Sequence, residues 1–311
     1  MTITVPPEGG LNFLAAPSAL DLQALSARFA VLGAPWGVPY GMRGIAGGNS
    51  DAPRAVRARS HRHGHFAGHH DFDLDAPLFS AAEAGLVDCG DVAGDHRDLR
   101  ANGRRVTEAV RLIASRNAVP IVIGGDDSVP ALVAAGLEAQ GPLHVVQVDA
   151  HLDFRDEVDG ERHGYSSPMR RVSEMAWVER IIHVGQRGIG SARPQDVADS
   201  LAAGNRIVTA RQVARDGIAA ALAHVPDGAK VFISFDCDGL DPSVMPGTGS
   251  PLPGGLGFYD AVDLFTGLAR RGVIAGVAFA EHNPALDVNA ITSLGIVRLI
   301  VNMIGTILRR G

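Results

Sequence analysis

The 311-residue sequence predicts an α/β fold, a three-layer αβα sandwich built on a mainly parallel eight-stranded sheet. Three observations carry that expectation. Eight short apolar runs recur along the chain, and most are followed by a stretch with helical periodicity. Several runs also close on acidic residues, at the end of a parallel strand where ligand crevices form.

In chain order the strands are RFAVLGAP, AGLVDCGDV, VPIVIGG, LHVVQVDAH, RIIHVGQR, RIVTA, KVFISFDCD and GVIAGVAFAEH. The helices are DAPRAVRARS, RRVTEAVRLIASR, SVPALVAAGLEAQ, DVADSLAAG, FYDAVDLFTGLARR and AITSLGIVRLIVNMIGTILRR, several opened by a Ser, Asp or Thr able to cap them. Ala, Gly and Val dominate, as expected where small-residue helices pack on buried strands. No repeat, charge block or Ser- or Pro-rich linker marks a second domain. Residues 1–311 therefore read as one domain, with about 1–25 as an amino-terminal extension whose first dozen or so residues look disordered.

The net charge of −6 and the scattered arginines give no electrostatic footprint for nucleic acid or an acidic membrane surface. Lys230, the only lysine, sits in GAKVFIS, which is not a phosphate-binding loop and does not suggest a Schiff base. MTITVPPEGG lacks a basic head and apolar stretch, and no run approaches the roughly 18 apolar residues of a membrane span, so a cytoplasmic protein is expected. The only cysteines, Cys89 and Cys237, read as buried reduced thiols.

LHVVQVDAHLDFRD places Asp149, His151 and Asp153 at alternate positions, a spacing that projects three side chains to one side of an extended segment. KVFISFDCDGLDP closes on Asp236 and Asp238 with the same spacing. Carboxylates with an imidazole suit hard or borderline divalent ions such as manganese, and without a cation they would repel one another. This ligand set is too large for one ion, so two ions about 3.5–4 Å apart, sharing Asp149 and Asp236 as bridges, is the economical arrangement. PGTGSPLPGG reads as a rigid wall of the site, because its prolines remove amide donors that a phosphate would need. HRHGHFAGHHDFD, with His61, His63, His65, His69 and His70, reads as a solvated loop.

Four segments, IGGDDSVP, VDAHLDFRD, SFDCDGLDPSVMPGTGSPLPGG and AEHNPALD, resemble the ureohydrolase family of arginase, agmatinase and related guanidino-acid hydrolases. The resemblance extends upstream to GAPWGVPYGMRGIAGGNSDAPRAVR, similar to that family's first strand, substrate-proximal loop and first helix. It implies the arginase-like fold and a closed homo-oligomer, a trimer or hexamer. Carried over by residue, it gives one manganese to Asp149, Asp153, Asp236 and Asp127, and the second to Asp149, His151, Asp236 and Asp238, with nickel as an alternative metal. It further implies His163 in ERHGYSS as proton shuttle and Glu281 as the carboxylate that orients a guanidinium. The implied reaction is hydrolysis of a cationic guanidino compound, such as agmatine or a guanidino acid, to urea and an amine by a metal-bridging hydroxide.

Two departures stand out. Asp127 in GGDDSVP occupies the place where the family has a metal-ligating histidine, adding a negative charge that should raise the pKa of bridging water and attract a cationic substrate. GYSSPMRR replaces the family's usual Gly-Thr after the shuttle histidine. Two alternatives accompany the main reading: formimidoylglutamate hydrolysis, needing a basic pocket from Arg43, Arg187 or Arg193, and a catalytically weak subunit that partners an active homologue.

Overall fold

The computed structural model describes residues 3–38, 40, 48–95, 97–189 and 192–310. Its strands are β1 (Thr4–Val5), β2 (Phe29–Ala34), β3 (His70–Asp71), β4 (Ala76–Pro77), β5 (Leu86–Val92), β6 (Val119–Gly124), β7 (Leu143–Val148), β8 (Val178–Val184), β9 (Arg206–Val208), β10 (Lys230–Asp236) and β11 (Val273–Ala280). Its helices are α1 (Ala52–Gly64), α2 (Ala81–Ala84), α3 (Leu99–Ser115), α4 (Val129–Gly136), α5 (Pro168–Ser173), α6 (Pro194–Ala202), α7 (Ala210–Asp216), α8 (Ala219–Leu222), α9 (Phe258–Arg271) and α10 (Ile291–Leu308).

One nine-stranded sheet runs β1-β5-β2-β6-β11-β10-β7-β8-β9, and β3 pairs with β4 separately. All eight expected runs are strands of that sheet, and they pair in parallel. The ninth strand corrects the reading of the amino terminus as disordered. Thr4 and Val5 pair antiparallel with Val92 and Asp91, and Phe13 and Leu14 behind them are buried. Gly90, at φ +74°, permits this docking: a Cβ there would lie 2.0 Å from the Val5 carbonyl oxygen.

Side chains alternate across the sheet, as the two-residue strand period requires. Val31, Ile123, Val148, Phe235 and Phe279 join a core completed by α1, α9 and α10. Leu32, Val122, Val145 and Ala278 join another completed by α3, α4 and α5. These are the outer layers of the expected sandwich. Helix α10 passes the length and composition of a membrane span, closer to that limit than the sequence reading allowed, yet 72% of it is buried inside the protein. An all-round apolar helix can equally be a central core helix, and α10 packs on α1 and α9.

The histidine-rich stretch is corrected in part. His61 and His63 lie in the last turns of α1 and His70 opens β3, while His65 and His69 sit exposed in the turn between them, as a solvated loop requires. Buried Val56, Arg57 and Ser60 hold that part of α1 against the protein. Cys89 and Cys237 are free and buried.

Candidate metal centre

The middle of the sheet is β6-β11-β10-β7, and the acidic residues all follow the carboxyl ends of these adjacent strands. Asp126 and Asp127 follow β6, Glu281 follows β11, Asp236 closes β10, and Asp149 follows β7. This is where an open parallel sheet leaves a crevice. A cavity of about 440 Å³ opens there, lined in part by Asp126, Asp127, His151, Asp153, Asp236, Asp238 and Glu281.

The turn after β10 must approach β7 closely to bring the two ligand segments together. Gly239 allows it, since a Cβ at that position would meet the Asp149 backbone nitrogen at 2.7 Å. The Ala150 N–H then donates to Asp238 Oδ1 at 3.0 Å, and the Asp238 N–H donates to Asp236 Oδ1 at 2.7 Å. After Val148 the chain bends rather than staying extended, and Asp153 adopts φ +47°. The alternate spacing therefore converges through a bend, not through a strand edge. Glu281 is likewise left-handed, at φ +58°. Strained backbone of this kind persists where surrounding structure over-determines it.

Ligand atoms of Asp127, Asp149 and Asp236 lie within 4.8 Å of one another, as do those of Asp149, His151 and Asp238. Among the described residues, Asp149 is thus common to both groups, Asp236 belongs to the first only, and Asp153 to neither. His151 Nδ1 lies 3.0 Å from Asp238 Oδ2 and 3.5 Å from Asp149 Oδ1. Burial pulls its imidazole down, but hydrogen bonds and charge from Asp149 and Asp238 prevail and push it up to about 11.

The carboxylates are raised as well, but by burial and by repulsion from one another. Burial, then the neighbouring Asp238 charge, lifts Asp149 to about 6. Burial and the charges of Asp153 and Asp149 hold Asp127 well above the usual carboxylate range, and burial with neighbouring aspartates does the same to Asp236. Burial and Asp126 raise Glu281 to about 8. Both Asp127 oxygens and Asp126 Oδ2 are buried without a hydrogen-bond donor. Orphaned carboxylate oxygens in a low-dielectric site call for a cation or a proton. No Lys or Arg among the described residues lines the cavity, and the donor set of oxygens plus one imidazole suits hard or borderline divalent ions.

Glu281 is held at both oxygens. Oε1 accepts the Asp127 N–H at 2.9 Å, and Oε2 accepts the Asn49 amide at 2.8 Å. His163 is exposed and is not among the residues lining the cavity; its backbone N–H donates to Glu161. Tyr165 and Ser166, just beyond it, do line the cavity, with the Tyr40 ring 4.5 Å from that of Tyr165. Sequence reasoning missed Asn49, Asp126, Tyr165, Ser166 and Ile189. Gly37 in GAPWGVPYG gives Asp126 its room, since a Cβ there would strike the Asp126 carboxylate at 2.2 Å, but that approach is visible only in the fold.

Gly249 and Ser250 form part of the wall, as expected for PGTGSPLPGG. The amides of Gly254 and Gly255 are taken by Asp241 Oδ2. Arg187 is spent on carbonyl oxygens of Gly185, Asp238, Gly239, Leu240 and Leu252. Arg193 caps α6 through a bidentate pair with Asp196. Arg43, with residues 41–47 of the expected substrate-proximal loop, lies outside the described residues.

The sequence pattern of the Arginase family matches residues 27–305. The chain belongs to the arginase family. This arginase-family chain is 30% identical over 298 residues to guanidinopropionase of Pseudomonas aeruginosa, covering 93% of this chain and 89% of that protein. It is 32% identical over 216 residues to mitochondrial agmatinase of Gallus gallus, covering 67% of this chain and 63% of that protein, just under two thirds of its length. Its fold is that of proclavaminate amidino hydrolase from Streptomyces clavuligerus, with a TM-score of 0.81 at 24% identity, covering 97% of this chain and 98% of that one.

Proposed function

We propose that this arginase-family chain hydrolyses a cationic guanidino compound, agmatine or a guanidino acid, to urea and an amine, with two manganese ions held by Asp127, Asp149, His151, Asp153, Asp236 and Asp238. The observation that carries the reading is the meeting, in one cavity, of two acidic ligand groups sharing Asp149 with the separately held carboxylate of Glu281. Two divalent ions, when bound, supply the positive charge that makes water nucleophilic near neutral pH.

The chain's own residues do the rest. Glu281, fixed at both oxygens by Asn49 and the Asp127 amide, presents a carboxylate fork to a planar cation. Its raised position, about 8, means that the arriving guanidinium supplies the charge that keeps it ionised. Asp126 adds a second carboxylate to the same cavity. We place His163 at the solvent side of the opening, two positions from Tyr165, where it hands a proton to the departing amine. The commitment of Arg187 and Arg193 to structure weighs against a dicarboxylate such as formimidoylglutamate. A cytoplasmic setting and a closed homo-oligomer belong to the same proposal.

The test is urea release after reconstitution with manganese, and separately with nickel, from agmatine, arginine, guanidinobutyrate, guanidinopropionate and guanidine. Release from one member is expected and names the substrate. No release from any of them, with two ions bound per chain, overturns the reading.

A further inference from the structure

Behind Asp149 runs a line of buried polar side chains that no step of the proposed reaction uses. Gln147 on β7 and His183 on β8 are register partners in the parallel sheet. The Gln147 Nε2 amide donates to Asp149 Oδ2 at 2.6 Å. Gln147 Oε1 meets His183 Nδ1, and His183 Nε2 lies 3.0 Å from the Ser200 hydroxyl on α6. Asn205, in the turn after α6, donates from Nδ2 to Ser200 at 3.2 Å and accepts the Ile181 N–H at Oδ1 at 2.9 Å. Gln147, Asp149, His183, Ser200 and Asn205 are all buried.

The two ends of this line impose the same sense of hydrogen bonding. A backbone N–H can only donate, so Ile181 fixes the Asn205 amide with its nitrogen toward Ser200. Ser200 then directs its own hydroxyl hydrogen to His183 Nε2. From the other end, an ionised Asp149 can only accept, so Gln147 turns its nitrogen to Asp149 and its carbonyl to His183. Both constraints require one His183 tautomer, protonated at Nδ1 and bare at Nε2. The imidazole stays neutral, since burial lowers its pKa to about 3.

We infer that Asn205, Ser200, His183 and Gln147 form a one-directional positioning line that orients Asp149, the carboxylate common to both ligand groups, and thereby sets the affinity of the centre for divalent ions from the outer helix layer. This rests on the proposed two-ion site. Partners one step behind metal ligands fix ligand orientation and basicity, and losing one typically costs roughly 10–100-fold in metal affinity. These four act through Asp149 and none lines the cavity, so they are positioning residues and leave the substrate's own contacts intact.

The experiment is titration of the metal-free full-length protein with manganese(II) chloride, followed calorimetrically, alongside urea release at saturating manganese. His183→Leu removes the Nδ1 donor, and His183→Asn restores an amide donor at about the same place. His183→Leu is expected to weaken manganese binding about 10–100-fold, His183→Asn to recover most of it, and KM at saturating manganese to stay within about twofold in both. If His183→Leu is not folded by circular dichroism, Gln147→Met and Ser200→Ala carry the test, with a large and a smaller loss expected in that order. Unchanged affinity in the folded variants overturns the inference, as does an equal loss in His183→Asn and His183→Leu, which marks mere packing. An unaltered protein that binds no manganese overturns the two-ion proposal and this inference together; one that binds two ions, with indifferent variants, overturns only the inference.

Discussion

Two acidic clusters lie buried in the protein, and they balance their charge in opposite ways. Asp88 and Asp91 on β5 enclose their own cation. Arg57 of α1 donates to both Asp88 oxygens at 2.9 and 3.1 Å and to Asp91, and a fourth bond reaches the Gly90 carbonyl at 2.9 Å. The remaining Asp88 capacity is filled by the N–H groups of Phe13 and Gly90. Asp127, Asp149, Asp153 and Asp236 are as deeply buried, but among the described residues no arginine or lysine lines the cavity beside them, and both Asp127 oxygens have no donor. A cluster that carries its counter-charge is a structural rivet. One that lacks it among the described residues is suited to receive a cation, with the repulsion among its members as the driving force.

The contrast can be broken from the receptor side first. Asp149→Asn removes the carboxylate shared by both ligand groups, so manganese content measured by atomic absorption should fall from about two ions per chain toward none and urea release should drop more than about a thousandfold. The same change should leave the metal-free protein at least as stable to urea, because a repulsive charge is gone.

On the rivet side, Arg57→Leu leaves two buried carboxylates without a cation and should destabilise the protein by about 3–5 kcal/mol in urea unfolding. The folded fraction should bind manganese in the parent ratio. A loss of metal binding without loss of stability would reverse the roles assigned to the clusters.

A smaller effect separates the clusters by pH. Glu281, raised to about 8, and Asp149 and Asp126, each raised to about 6, have folded values above those of an unfolded chain. Carboxyl groups shifted upward favour the fold while protonated, so their contribution is full below pH ~4 and is lost as pH rises through about 6 to 8. His151, raised to about 11, acts in the same direction over a higher window. The melting temperature of the metal-free protein should therefore fall by a few degrees between pH 5 and 8, and added manganese should abolish the decline. A metal-free protein as stable at pH 8 as at pH 5 would sink the idea that the cluster is held together against repulsion.

The finest adjustment is at Asp127. Asp127→His exchanges a carboxylate with two unpartnered oxygens for a neutral donor. The acid limb of the urea-release pH profile should move down by about one unit, and the rate at pH 7 should rise by up to about tenfold. A limb that stays in place would show that Asp127 does not bear on the reactive water.

Much of this was legible in the chain. The eight parallel strands and the main helices follow from local periodicity, which is read over a handful of neighbouring residues. Asp149, His151, Asp153, Asp236 and Asp238 announced themselves by alternate spacing at strand ends, a local signal again. The strand β1 was not legible, because Thr4 and Val5 form a strand only by pairing with β5, over eighty residues away. His163 was placed by resemblance in a segment that the structure turns toward solvent. Asn49 and Tyr165 lie in segments whose resemblance was legible, but no local spacing marked them individually, and they join the site only through the way loops from different strands close over it.

By itself the sequence determined the layers of the sandwich, the family, and the acidic and imidazole character of the candidate centre, since residue type and short spacing are properties of the chain. Tertiary structure alone decided that Asp149 is common to both ligand groups, that Glu281 is pinned by Asn49 and the Asp127 amide, that Arg187 serves backbone carbonyls and not a substrate, and that Asn205 reaches Asp149 through Ser200, His183 and Gln147. Those facts are distances between segments far apart in the chain, set by strand order and by close approaches such as Gly239 against Asp149, and spacing along a sequence does not encode them.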